Sequence, residues 1–142
     1  LLVRRSVPEA AMQRALADSR IEGQLSSGWE RWEGDAQVAV ALPLDAPLEV
    51  GRLYTFLPMG AMAPAPFAGF VNAPFFARLD RRSLDETVPL NDLLLSEVGR
   101  LCSDAVLGAL AGEVEIGSRQ LLDLVTWAPS ELPRLTAALA SR

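Results

Sequence analysis

The sequence predicts an α+β fold in which a small mixed or antiparallel sheet of three or more strands packs against one long helix. Residues 36–44 alternate between large and small apolar side chains, which is the period of a strand. Residues 51–57 and 67–72 are further apolar runs bounded by glycine or proline. Residues 90–111 repeat apolar side chains at helical spacing. Because strands come first and helices later, an α+β layer is predicted, with extra helices at both ends.

The composition fits one globular domain. The chain has 142 residues, of which 50% are hydrophobic, so it can bury a core. It opens without an initiator methionine, and we expect residues 1–142 to be a single domain cut from a larger protein. Its net charge of −5 disfavours a nucleic-acid partner, since binding to phosphates needs clustered cations. No charge occurs between Leu53 and Ala77, but the prolines in that stretch argue against a membrane span.

The residue types that are missing exclude several kinds of site. All 13 cationic side chains are arginine, and there is no histidine. The chain therefore cannot form a Ser-His-Asp group, a histidine zinc site or a phosphate-binding loop with lysine. Its single cysteine, Cys102, cannot form an internal disulfide or a thiolate cluster, and a cytoplasmic location is the expectation. We expect no metal or cofactor site in this chain and no ATP binding by the chain alone.

The N-terminal half is predicted to begin with a helix. Ser6 and Glu9 have the spacing of a capping box around Pro8. An apolar stripe then continues to about residue 20, carried by Met12, Leu16 and Ser19. The first two strands, residues 36–44 and 51–57, are separated by a short connection and are therefore expected to pair antiparallel.

The C-terminal half is predicted to be mainly helical. The long helix has an inert core cysteine in Cys102 and ends at Gly112. Residues 114–116 are expected to form a short strand or an extended link. Ser118 can cap a helix that continues to residue 127, and residues 129–142 are expected to form a last amphipathic helix.

The strongest candidates for chemistry lie in the most charged stretch of the chain. Arg78, Arg81 and Arg82 follow the most hydrophobic part of the sequence directly. A guanidinium offers a planar fork of donors that matches phosphate oxygens. At a strand-to-helix connection, such an arginine could reach into a neighbouring site. The alternative is a solvated turn paired with nearby carboxylates, which is the usual role of a charge run.

Two further features have functional and structural interpretations. Asn91 stands at the predicted start of the long helix, where we expect it to cap the helix. The same position is compatible with a second role, in fixing the arginine segment. Residues 59–66, together with Trp29 and Trp32, could form a protein-binding surface. The other interpretation is that the two tryptophans cover the edge of the core, which is the role we expect.

Three blocks of the sequence resemble sacsin-type proteins. Residues 51–58 (GRLYTFLP) are similar to the strand "GRLFxFLP" of that family. Residues 71–76 and 80–83 resemble its "VNGFF…DNRRS" segment, and residues 90–95 (LNDLLL) resemble its "WNELLL". The blocks keep the family's order within residues 36–111, whereas residues 112–142 form a helical extension outside the resemblance.

The resemblance implies a role in a GHKL-type ATPase. An upstream domain of the same protein would bind ATP and Mg, and this chain would be its middle or transducer domain, not an enzyme by itself. In the heat-shock chaperone relatives, the domain after the ATP-binding domain lends an arginine to the γ-phosphate. Carried over, that role falls on Arg81 or Arg82, with Asn91 and Arg78 in support. The resemblance is compatible with chaperone-like work on a protein client and with a defence role. The alternative function is a non-enzymatic protein–protein interaction module.

Overall fold

The structure, a computed structural model, describes residues 1–21, 29, 32–46, 48–59, 64–77, 84–85 and 87–126. Within these ranges the chain folds as a mixed sheet with helices packed on it, so the predicted α+β class is confirmed. The elements in chain order are β1 (Leu2–Val7), α1 (Glu9–Ile21), β2 (Ala36–Ala41), β3 (Arg52–Thr55), β4 (Leu57–Pro58), β5 (Phe70–Asn72), α2 (Pro89–Leu110) and α3 (Ser118–Val125).

The strands follow the order β1-β2-β5-β3-β4 across the sheet. Strand β2 pairs antiparallel with β1 and β5, and β5 pairs parallel with β3. The predicted pairing of the first two strands is therefore wrong, because β5 lies between β2 and β3. The insertion brings Val40, Val71 and Leu53 into register on one face, where all three are buried. A short connection favoured neighbouring strands, but β5 pairs with both β2 and β3 and places Val71 between Val40 and Leu53.

The first element is a strand, and the prediction that the fold begins with a helix is wrong. Val3 and Val7 of β1 face the core, as a strand pattern requires. The intervening inward position holds Arg5, which hides the alternation in the sequence. Its Nε donates to Oε2 of Glu97 on α2 at 2.7 Å, and Glu97 is only 7% exposed. An inward arginine is tolerated here because α2 supplies a carboxylate.

The start of α1 is capped from a distant residue and not by the predicted capping box. The main-chain N–H of Glu9 donates to Oδ1 of Asp35 at 2.9 Å, and the hydroxyl of Ser6 donates to Oδ2 of the same carboxylate at 3.0 Å. Asp35 directly precedes β2, so one side chain joins the β1–α1 corner to the next strand. The predicted apolar stripe is confirmed, since Met12, Leu16 and Ser19 are buried.

Helix α2 lies across the inner face of the sheet and contacts α1, β1 and β2. It confirms the predicted long helix, and Gly112, at φ +75°, follows its end as expected. Its buried apolar side chains are Leu90, Leu94, Leu95, Val98, Leu101, Cys102 and Ala105. They pack with the inward residues of the strands in one continuous core.

The chain after α2 agrees with the prediction in part. Helix α3 is present, but Gly117 occupies its N-cap position and Ser118 is the first helical residue, so the predicted serine cap is wrong. Residues 114–116 form no strand and serve as an extended link. The predicted helix at residues 129–142 lies outside the described residues. Among the described helices, none has the length and apolar character needed to cross a membrane.

The predicted strand at residues 51–57 is broken at Phe56. This residue has φ +61°, in the left-handed region that side chains other than glycine rarely occupy. Its ring is 75% exposed, and its main-chain N–H donates to Oδ1 of Asn72 at 3.2 Å. The positive φ turns the chain sharply from β3 into β4, so that Thr55 pairs with Leu57.

We expect Phe56→Gly to be more stable than Phe56→Ala by about 1 kcal/mol, because only glycine adopts a positive φ without a steric penalty. Both variants remove the exposed ring, so the difference between them isolates the backbone term. Urea unfolding monitored by circular dichroism measures both. Equal stability of the two variants would show that the left-handed turn does not persist in solution.

Candidate functional site

The N-terminus of α2 is the point at which the predicted site residues and the core meet. Val88 is the N-cap residue, and its side chain makes no capping hydrogen bond. The predicted cap, Asn91, instead lies inside the first turn and is fully buried. The prediction of Asn91 as a helix cap is therefore wrong, and its side chain has a different use.

Asn91 holds two separate pieces of main chain. Its Oδ1 accepts the N–H of Phe76 at 2.8 Å, and its Nδ2 donates to the carbonyl of Phe76 at 2.8 Å. The same Nδ2 donates to the carbonyl of Asp85 at 3.0 Å. Phe76 precedes the arginine segment and Asp85 follows it. One buried side chain thus connects both flanks of that segment to the start of α2.

The two flanks are also paired with each other. Ala77 and Leu84 form an isolated antiparallel bridge, so the residues on either side of 78–83 lie next to each other. Arg78, Arg81 and Arg82 belong to this segment and lie outside the described residues. The structure therefore defines the base from which the three candidate arginines depart, and that base is at the first turn of α2.

A second buried polar residue completes the base from the side of α1. The hydroxyl of Ser19 donates to the carbonyl of Ala15 at 2.7 Å and accepts the N–H of Leu90 at 3.0 Å. That N–H is one of the four that an α-helix leaves without an internal partner at its start. Ser19, read in the sequence only as part of a stripe, therefore links α1 to α2. Its partner is 71 residues away along the chain, which no local pattern reveals.

The tryptophans pack beside the same base. Trp29 meets Phe76 edge to face with ring centroids 5.8 Å apart, and stacks on Trp32 at 6.4 Å. Both are partly buried against the core, which confirms the expected structural role. The indole of Trp29 thus packs against Phe76, whose main chain is hydrogen-bonded to Asn91.

Residues 59–66, the alternative binding surface predicted from the sequence, are largely buried where the structure describes them. Met59 is 4% exposed and Ala65 is 5% exposed, and Pro66 is buried as well. Residues 60–63 of this stretch lie outside the described residues. The described ends of residues 59–66 therefore contribute to the core and offer little area to a partner.

Three other features of the described residues bear on their chemistry. A groove of about 530 Å³ between α1 and α2 carries both signs of charge, and its Arg100 is paired with Glu97 at 2.6 Å. Cys102 is buried, which confirms its expected place in the core, and burial raises the pKa of its thiol to about 12. Among the described residues, no group of three histidine, cysteine or acidic side chains could hold a metal ion.

Comparison with known proteins finds no matching family model, no matching curated protein and no matching solved structure. The resemblance to sacsin-type proteins therefore stays a prediction, and its functional meaning is a matter for proposal.

We expect Asn91→Ala to lower the free energy of unfolding by about 2–4 kcal/mol, because it removes a fully buried side chain and the three hydrogen bonds that it makes to partly buried main-chain groups. Asn72→Ala is the matched control. Asn72 is exposed and accepts one hydrogen bond, so its loss is expected to cost less than about 1 kcal/mol. Urea unfolding compares the two, and similar losses would contradict the role assigned to Asn91.

The thiol of Cys102 is expected to resist iodoacetamide at pH 8 in the folded protein and to react fully after denaturation, because the thiolate is the reactive form. The pKa of the folded-state thiol lies above its ordinary value of 9.0, so unfolding releases a proton between about pH 9 and pH 12. Stability should therefore decline as pH rises above about 9. Alkylation of the folded chain at the denatured rate would show that the thiol is accessible.

Proposed function

We propose that this chain is the middle or transducer domain of a GHKL-type ATPase related to sacsin-type proteins. It supplies Arg81 or Arg82 to the γ-phosphate of ATP held with Mg in an upstream domain. It then passes the nucleotide state on to the rest of the protein. The sequence resemblance motivates the proposal, and the surroundings of Asn91 support it.

The observation that carries the proposal is the double attachment of the arginine segment. An arginine accelerates phosphoryl transfer only when it is positioned against developing charge, which demands a rigid support. Asn91 ties Phe76 and Asp85 to one buried amide, and the Ala77–Leu84 bridge closes the base. A merely solvated turn does not need a fully buried side chain that makes three hydrogen bonds at its base.

Helix α2 is the element through which such a site would act on the rest of the fold. It begins at the base of the segment and runs 22 residues along the inner face of the sheet. Glu97 joins it to β1 through Arg5 and to its own next turn through Arg100. A shift of the base on ATP binding or hydrolysis would therefore move α2 against β1 and β2 as one body.

The direct test is the ATPase rate of the longer protein that contains the upstream domain. An arginine at the γ-phosphate is worth on the order of 10³–10⁵ in rate in some nucleotide hydrolases. We expect Arg81→Ala or Arg82→Ala to lower kcat by about 10³, with a smaller change in the KM for ATP. Arg78→Ala should have a weaker effect.

Arg14→Ala is the control for these variants, because Arg14 is an exposed arginine on α1 and is not part of the segment. It should leave kcat unchanged, and all variants should keep the unfolding midpoint of the parent protein. If Arg81→Ala and Arg82→Ala both retained the parent rate, the proposed role of the arginines would be lost.

A further inference from the structure

The sheet has a second face, which points away from α2. The register places alternate residues of four strands on this outer face. One row across the sheet is Leu2, Ala41, Phe70 and Arg52, and the next is Arg4, Ala39, Asn72 and Tyr54. Leu2 is 54% exposed, and Ala41, Phe70 and Tyr54 are only partly buried. The face is therefore open to solvent where the structure describes it.

The centre of the outer face is apolar and partly aromatic. Tyr54 packs edge to face on Phe70 with ring centroids 5.8 Å apart, beside Leu2 and Ala41. Tyr54 and Phe70 stand on neighbouring strands, β3 and β5. A cluster of partly exposed aromatic and aliphatic side chains on an open sheet face is a candidate surface for a partner.

The charged side chains at the rim, on either side of the apolar centre of the outer face, are both positive. Arg4 stands on β1 and Arg52 on β3, at opposite sides of the apolar centre. None of the outer positions that the register defines on these four strands carries a carboxylate, although the net charge of the chain is −5. Asp35, at the end of the face, already accepts hydrogen bonds from Ser6 and Glu9. The face thus complements a negatively charged partner.

The spacing of the rim fits a helix. Strands β1 and β3 are three strand spacings apart, which is about 14 Å. An α-helix with its side chains is about 10–12 Å across, so one helix fills the space between the two arginines. A second strand layer would need a wider apolar area than these residues provide.

We propose that the outer sheet face is a docking site for an acidic amphipathic helix of a partner protein. The apolar stripe of that helix would cover Leu2, Phe70 and Tyr54, and its flanking carboxylates would pair with Arg4 and Arg52. Residues 127–142 contain two arginines and one glutamate, so their composition does not complement the arginines of the rim. The proposal is independent of nucleotide coupling.

The test uses the whole chain and a fluorescein-labelled peptide of about 18 residues, with leucine on one helical face and glutamate on the other. We expect this peptide to bind in fluorescence anisotropy, and its scrambled version and its lysine counterpart to bind at least about tenfold more weakly. Binding should weaken as salt is raised, because the rim contacts are exposed ion pairs.

Variants of the chain identify the face. Arg4→Glu and Arg52→Glu should each weaken binding by about fivefold, as expected for exposed ion pairs, and Leu2→Ser should also weaken it. Arg14→Glu makes the same change of charge on α1 and should leave binding unaltered. Absence of binding by the glutamate peptide, equal binding of the scrambled peptide, or an equal loss in Arg14→Glu would overturn the proposal. So would a single-stranded oligonucleotide that binds more tightly and is lost in Arg4→Glu and Arg52→Glu.

Discussion

The fold depends on hydrogen bonds to the buried main-chain groups around the N-terminus of α2. A helix start leaves N–H groups without partners, and burying them without hydrogen bonds costs about as much as losing those bonds. Here Ser19 accepts the N–H of Leu90 from α1, while Asn91 uses its side chain on the neighbouring main chain. Both residues are fully buried. The requirement to pair these groups brings α1, α2, the residues after β5 and the flanks of the arginine segment to one junction.

The same need for polar partners explains where sequence patterns succeed and where they fail. Periodicity identifies α2 and β2, because most of their buried side chains are apolar. It misses β1, because Arg5 takes an inward position that only Glu97 makes acceptable. The local pattern also predicts a capping box at the start of α1. The N–H of Glu9 instead donates to Asp35, which lies beyond the connection between α1 and β2. Contacts between distant residues decide each of these points, and a local pattern contains no information about them.

The candidate functional surfaces, too, are predictable from the sequence only where a local pattern marks them. The arginine segment can be found from its composition and from the resemblance of its neighbours to a known pattern. The role of Asn91 cannot, because it depends on the position of Phe76 and Asp85 around the first turn of α2. The outer sheet face is hidden in the sequence for a similar reason. Only the insertion of β5 between β2 and β3 places Phe70 beside Ala41 on one side and Arg52 on the other.

The most direct measurement of the coupling role is ATP hydrolysis by the separate upstream domain, with this chain added in trans. The chain alone should show no hydrolysis, and increasing amounts of it should raise the rate of the upstream domain to a plateau. Loss of that stimulation when both Arg81 and Arg82 are replaced would assign it to the segment that Asn91 anchors. Hydrolysis by the isolated chain, or an upstream domain whose rate ignores the chain at every concentration, would contradict the role proposed for it.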